Sequence, residues 1–221
     1  MAEKKQVAEG KKQVAREILD RLLIIHPQPV CELNFDTPFE LLVAVILSAQ
    51  CTDKRVNEVT KELFKKYSTP EDFANIDVHE LERLIFSCGF YRNKAANIIK
   101  AATDVLVRFD GKVPSTVEEL VTLAGVGRKT ANVVYAVAFG GQAIAVDTHV
   151  LRGSNRIGFV KTDKPEVVEK ALTEAFPKER WAQAHHLLIH HGRYICKARN
   201  PECDKCNICE FCNYYKEISG R

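Results

Sequence analysis

The sequence predicts an all-α protein, and three observations carry that reading. Runs that alternate apolar and polar residues, the mark of half-buried strands, are absent from the 221 residues. The segment Phe39-Glu40-Leu41-Leu42-Val43-Ala44-Val45-Ile46-Leu47 is apolar nearly all round, as expected of a helix enclosed by other helices. Helix start and stop signals recur along the whole chain.

Taken in order, the N-terminal stretch with Lys4, Lys5, Lys11, Lys12 and Arg16 reads as the solvated face of a charged helix. The central helix over 39–47 follows. Ser68-Thr69-Pro70-Glu71 and Ser115-Thr116-Val117-Glu118 are capping boxes, in which a hydroxyl and a carboxylate each satisfy an orphan amide. Asp77 before Glu80, and Asp163 before Pro165, open helices in a similar way. Gly89, Gly111, Gly140-Gly141 and Pro177 close them. The total is roughly nine or ten helices joined by short connections.

Hydrophobic residues at 46% and charged residues at 28% are those of a globular chain long enough to bury a core, which excludes a disordered or fibrous class. A net charge of +3 does not by itself announce a nucleic-acid partner. No apolar run reaches the roughly 20 residues that a membrane span needs, and the charged N-terminus lacks an apolar signal core. A cytoplasmic protein with no membrane partner is expected. Five of the eight cysteines crowd into residues 196–212, which in such a compartment reads as a metal or iron–sulfur site rather than as disulfides. Cys31, Cys51 and Cys88 are scattered and read as ordinary reduced thiols.

The run Leu123-Ala124-Gly125-Val126-Gly127-Arg128-Lys129-Thr130, followed by Val146-Asp147-Thr148-His149, concentrates the chemistry. A tight Gly-x-Gly turn opening a helix points backbone N–H groups outward, where they suit a phosphate. Lys129 sits two residues past that turn, and a lysine amine can attack an electrophilic carbon to form a Schiff base. Asp147 precedes the helical stretch Val150-Leu151-Arg152, as an N-cap would, and a carboxylate there can also steady positive charge developing on a sugar ring.

These motifs, with Leu47-Ser48-Ala49-Gln50-Cys51-Thr52-Asp53 and the C-terminal cysteine loop, resemble the helix-hairpin-helix DNA glycosylases that carry an iron–sulfur cluster. The resemblance runs over the whole chain. It implies a two-lobed fold, with a six-helix domain over 31–141 and a second helical domain from 1–30 and 142–221 that holds the cluster. The DNA cleft would lie between them. It further implies a monomeric, nucleoid-associated, bifunctional glycosylase and apurinic/apyrimidinic lyase that removes oxidised pyrimidines from damaged double-stranded DNA. Lys129 would attack the sugar and support β-elimination, with Asp147 stabilising the charged sugar. Gly125, Gly127, Arg128 and His149 would meet phosphates. Gln50 would pair with the orphaned base, Phe90 would wedge into the stack, and Asp53 would lie near the extruded base. The family usually has proline where this chain has Ala124, which implies a looser turn.

The cysteine loop reads Cys196-x6-Cys203-x2-Cys206-x5-Cys212, with Cys209 additional. Four thiolates suit zinc as well as iron–sulfur, and Cys203, Cys206, Cys209 and Cys212 form a second possible series. The resemblance implies Cys196, Cys203, Cys206 and Cys212 around a 4Fe–4S cluster, with Lys197 and Arg199 on a basic loop against DNA. His185, His186, His190 and His191 have spacings of a metal face, yet without a neighbouring carboxylate motif they read as packing and surface residues.

Overall fold

The computed structural model describes residues 2–220, with side chains over 9–220, so the side chains of Lys4 and Lys5 lie outside the described residues. Its helices are α1 (Ala2–Ile25), α2 (Pro38–Ser48), α3 (Asp53–Leu63), α4 (Pro70–Asn75), α5 (Val78–Ile85), α6 (Tyr91–Phe109), α7 (Val117–Leu120), α8 (Arg128–Phe139), α9 (Thr148–Ile157), α10 (Pro165–Ala175), α11 (Trp181–Tyr194) and α12 (Asn213–Ser219). Among the described residues there is no strand. The helices slightly outnumber the nine or ten expected, and three of them, α4, α7 and α12, span only 6, 4 and 7 residues.

The chain divides into two compact units, residues 31–141 and residues 1–30 with 142–221. The first is built around α2, whose residues 39–47 are all buried, and α2 packs against α3, α6 and α8. Leu41, Leu42, Phe73, Leu81, Ile98 and Val134 fill its core with essentially no exposure. The second unit packs α1, α9, α10 and α11 around Ile18, Leu19, Leu22, Val150, Leu172 and Leu187. Lys11, Lys12 and Arg16 are exposed on α1, opposite its buried Ala15, Ile18 and Leu19.

Several helix starts fall one residue from the positions expected. Thr69, not Ser68, caps α4 and forms its box with Asp72. Thr116 caps α7 by accepting from the Glu119 amide, while its hydroxyl donates to the Glu119 carboxylate at 2.7 Å. Adjacent hydroxyls offer two phases, and the one that buries Phe73 and Leu120 prevails. Asp163 is not a cap, since Lys164 holds that position before α10 without a side-chain bond. Asp77 does cap α5, accepting from the Glu80 amide at 3.0 Å. A third box, Thr37 with Glu40, opens α2 and has the same sequence signature.

Candidate functional site

In the 31–141 unit, the turn between α7 and α8 holds the Gly-x-Gly run. Gly125 has φ +74°, a left-handed conformation, and a Cβ there would stand 2.8 Å from Cβ of Asn97. Both facts demand glycine. Gly127 differs from expectation: its backbone is extended at φ −84°, so the turn does not need glycine there. A Cβ at Gly127 would meet nothing within 4 Å, and this bare, exposed backbone leads straight into α8. The N-cap of α8 is Gly127, which has no side chain to bond the amides of the first turn, and a helix N-terminus of this kind suits an anion. Arg128 and Lys129 are its first two residues, and both are exposed.

In the other unit, Asp147 caps α9. Its Oδ1 accepts from the amides of His149 and Val150, each at 2.8 Å. Both bonds fall on one oxygen, which leaves Oδ2 outside the cap. His149 Nδ1 lies 3.3 Å from Arg152 Nη2. That arginine also donates to the carbonyls of Gly192 at 2.7 Å and Cys196 at 3.1 Å, tying α9 to the end of α11.

Gln50 and Phe90 share an uncommon feature. Each is exposed, and each holds a left-handed backbone without being glycine, at φ +53° and +46°. Phe90 is 64% exposed, so it is no core aromatic. Asp53, the first residue of α3, is half-buried near the same turn. Behind Gln50 and Phe90 lies Lys94 of α6, only 5% exposed. Its Nζ donates to the carbonyls of Leu47 at 2.9 Å and Cys88 at 2.8 Å, one in each segment leading to a strained residue. Burial holds this ammonium below the ordinary lysine range. Sequence reading missed Lys94, because a lysine on a helix normally reads as solvated.

The C-terminal cysteines converge. Cys196, Cys203, Cys206, Cys209 and Cys212 all line one cavity, walled by Ile157 and Ile208 among others. Arg156 from α9 donates to the carbonyls of Lys197 at 2.7 Å and Ala198 at 3.1 Å, lies 3.4 Å from Cys196 Sγ, and stacks its guanidinium 4.5 Å from the Tyr214 ring centroid. His191 Nε2 lies 3.7 Å from Cys206 Sγ. Lys197 and Lys205 both pair with Glu202, so part of the loop's expected positive charge is offset internally, while Arg199 is exposed. His185 is buried with Nδ1 2.9 Å from the Ala145 carbonyl, and His190 Nε2 lies 3.0 Å from that of Val30. These histidines pack the helix.

The hairpin, the aspartate cap and the cysteine cavity together define a helix-hairpin-helix base excision protein. A family model described as HhH-GPD superfamily base excision DNA repair protein matches residues 43–178. Endonuclease III of Bacillus subtilis is 52% identical over 195 residues, covering 88% of this chain and 89% of the relative. That of Escherichia coli K12 is 46% identical over 202 residues, covering 91% and 96%. A solved structure of a trapped endonuclease III–DNA covalent intermediate is 50% identical, with a TM-score of 0.90 over 94% of this chain and 98% of that one. A non-covalent endonuclease III–DNA complex is 49% identical, with the same TM-score over 95% and 99%. The chain belongs to the endonuclease III family of the HhH-GPD superfamily. It is an enzyme of base excision repair, a DNA glycosylase and apurinic/apyrimidinic lyase.

No helix among the described residues is long and apolar enough to cross a membrane.

Proposed function

We propose that the enzyme excises oxidised pyrimidines from duplex DNA through a Schiff base on Lys129, followed by β-elimination. The observation that carries this reading is an exposed amine on the first turn of a helix whose N-cap is a glycine, beside a hairpin of bare backbone. The amides of that turn and Arg128 would hold a phosphate and so bring the sugar to the amine. The Lys129 nitrogen forms a bond to the sugar carbon as the bond from that carbon to the base breaks, and the base leaves with a proton from the amine. The nitrogen lone pair then expels the ring oxygen from the same carbon; that oxygen takes up a proton as a hydroxyl, and a protonated C=N bond, the Schiff base, is left. Loss of a proton from the adjacent sugar carbon then expels the 3′ phosphate. Asp147, with Oδ2 clear of its capping bonds, would stabilise the positive sugar, and His149 would meet a neighbouring phosphate.

A base in a duplex must leave the stack before its sugar can be attacked. Gln50 and Phe90 suit the filling of that gap, because both are exposed and both hold strained backbone, a feature that clusters at functional sites.

The cysteine cavity fits a 4Fe–4S cluster held by Cys196, Cys203, Cys206 and Cys212. Its thiols are soft donors, and its walls combine them with apolar isoleucines. Among the described residues no three His, Cys, Asp or Glu side chains group tightly enough to hold a single metal ion, whereas a four-iron cluster spans a wider set of sulfurs. Bound there, a cluster would supply structural cross-linking of the loop that carries Lys197 and Arg199 toward DNA. Cys209 lines the same cavity, and cluster content tests the ligand set. Cys196→Ser loses iron and labile sulfide on this assignment, and Cys209→Ser keeps them.

The direct test of function incubates the holoenzyme with duplexes carrying one oxidised pyrimidine. Release of the free base together with a β-eliminated strand end is expected. Base release with an intact abasic strand contradicts the lyase step.

A further inference from the structure

Among the residues that line the cysteine cavity, His191 takes no part in base release or in holding a metal. It lies in the last turn of α11, the helix that leads to Cys196, and is 2% exposed. Its Nε2 stands 3.7 Å from Cys206 Sγ, within reach of a hydrogen bond to sulfur. Its Nδ1 is buried and has no hydrogen-bond partner among the described residues. His26, just after α1, braces the ring edge to face, with centroids 6.0 Å apart. Arg156 also reaches a sulfur, at 3.4 Å from Cys196 Sγ, but the same nitrogen donates to the Lys197 carbonyl at 2.7 Å. The imidazole of His191 is thus committed to its sulfur in a way that Arg156 is not.

We propose that His191 is the positioning residue for Cys206, donating its Nε2 hydrogen to that sulfur and holding the cluster's reduction potential up. The inference rests on the reading of the cavity as a 4Fe–4S site with Cys206 among its ligands. Burial favours the neutral imidazole, which carries one proton. On Nδ1 that proton would meet no acceptor. On Nε2 it meets Cys206, whose sulfur, bound to iron as a thiolate, has no hydrogen of its own and can only accept. An apolar side chain would fill the same space without burying an unpartnered nitrogen, so packing alone does not account for a histidine here. The bond also fixes the direction of the sulfur, because its donor is carried on a helix rather than on the cysteine loop. Each electron added to a cluster increases the negative charge on its sulfurs. A donor aimed at one of them stabilises the reduced cluster more than the oxidised one, which raises the potential.

The test uses cluster-loaded enzyme whose histidines carry nitrogen-15, with the cluster poised in a paramagnetic state. Pulsed electron paramagnetic resonance should show a nitrogen-15 coupling to the cluster that disappears in His191→Leu. Voltammetry of the adsorbed enzyme should give a more negative one-electron potential for His191→Leu than for the parent. His191→Gln, whose amide N–H can take the place of the Nε2 hydrogen, should return the potential toward the parent value. A parent without the coupling overturns the proposal, and so does an unchanged potential in His191→Leu. Should His191→Leu fail to assemble a cluster, the parent and His191→Gln decide: the parent must show the coupling and the glutamine variant must lack it. Iron and labile sulfide in Cys206→Ser separate the two readings. If they are retained in full, Cys206 is not a ligand and the cluster reading fails first. If they are lost while the parent shows no coupling, the assignment of His191 fails alone.

Discussion

Lys94 donates a 2.8 Å hydrogen bond to the carbonyl of Cys88 from a position only 5% exposed, and its second bond goes to Leu47. One buried ammonium thus fixes both segments that present Gln50 and Phe90. Lys94→Met keeps the stem's packing and strands two carbonyls, each at a cost of about 1–3 kcal/mol, partly offset by removing a buried charge. Chemical denaturation should show a net loss of stability. Affinity for a lesion duplex should fall further than in Lys100→Met, a change on the exposed face of α6.

Asp147 combines two roles that substitution separates. Asparagine caps about as well as aspartate, so Asp147→Asn should melt within a few tenths of a kcal/mol of the parent. Alanine removes both amide bonds and should cost about 1 kcal/mol. Base release should be abolished in both. Normal turnover by the asparagine variant would leave Asp147 with a structural role alone.

The two hairpin glycines should respond differently. Gly125→Ala must adopt φ +74° against Asn97, which costs about 1–2 kcal/mol in backbone strain before the contact is relieved. Gly127→Ala meets open space on extended backbone and should leave stability unchanged. Its expected defect is weaker DNA binding, read by titration at fixed salt, because the methyl group occupies the path of the approaching phosphate.

Burial, with a smaller contribution from His190, pushes His186 from an ordinary 6.5 down to about 4. Between those values the unfolded chain binds a proton that the folded chain does not. Stability therefore falls as pH drops through this window, and the loss is complete once both states are protonated below about 4. His186→Gln should flatten the decline in melting temperature across that range. An unchanged slope would show that His186 does not contribute to it.

The parts legible in the sequence are those set by local chemistry. The apolar run 39–47 reads as a buried helix, and Asp147 before a helical stretch reads as an N-cap, and the structure has both. Gly125 was legible as a turn residue, but Gly127 looked the same while serving a different need, since only the fold shows which glycine carries positive φ. Cap phases were missed by one residue where two hydroxyls stand side by side, because core burial rather than the cap selects the frame. Lys94, Arg152 and Arg156 were illegible for a further reason. Their partners are backbone carbonyls, which leave no trace in sequence, on segments that meet only in the fold.

The central claim is that Lys129 is the nucleophile. Borohydride reduction during reaction with an oxidised-pyrimidine duplex traps a Schiff base as a stable protein–DNA adduct. The account predicts an adduct with the parent enzyme, with the attached residue mapped to Lys129, and none with Lys129→Gln. Base release by the parent without an adduct, or an adduct of equal yield in Lys129→Gln, would contradict it.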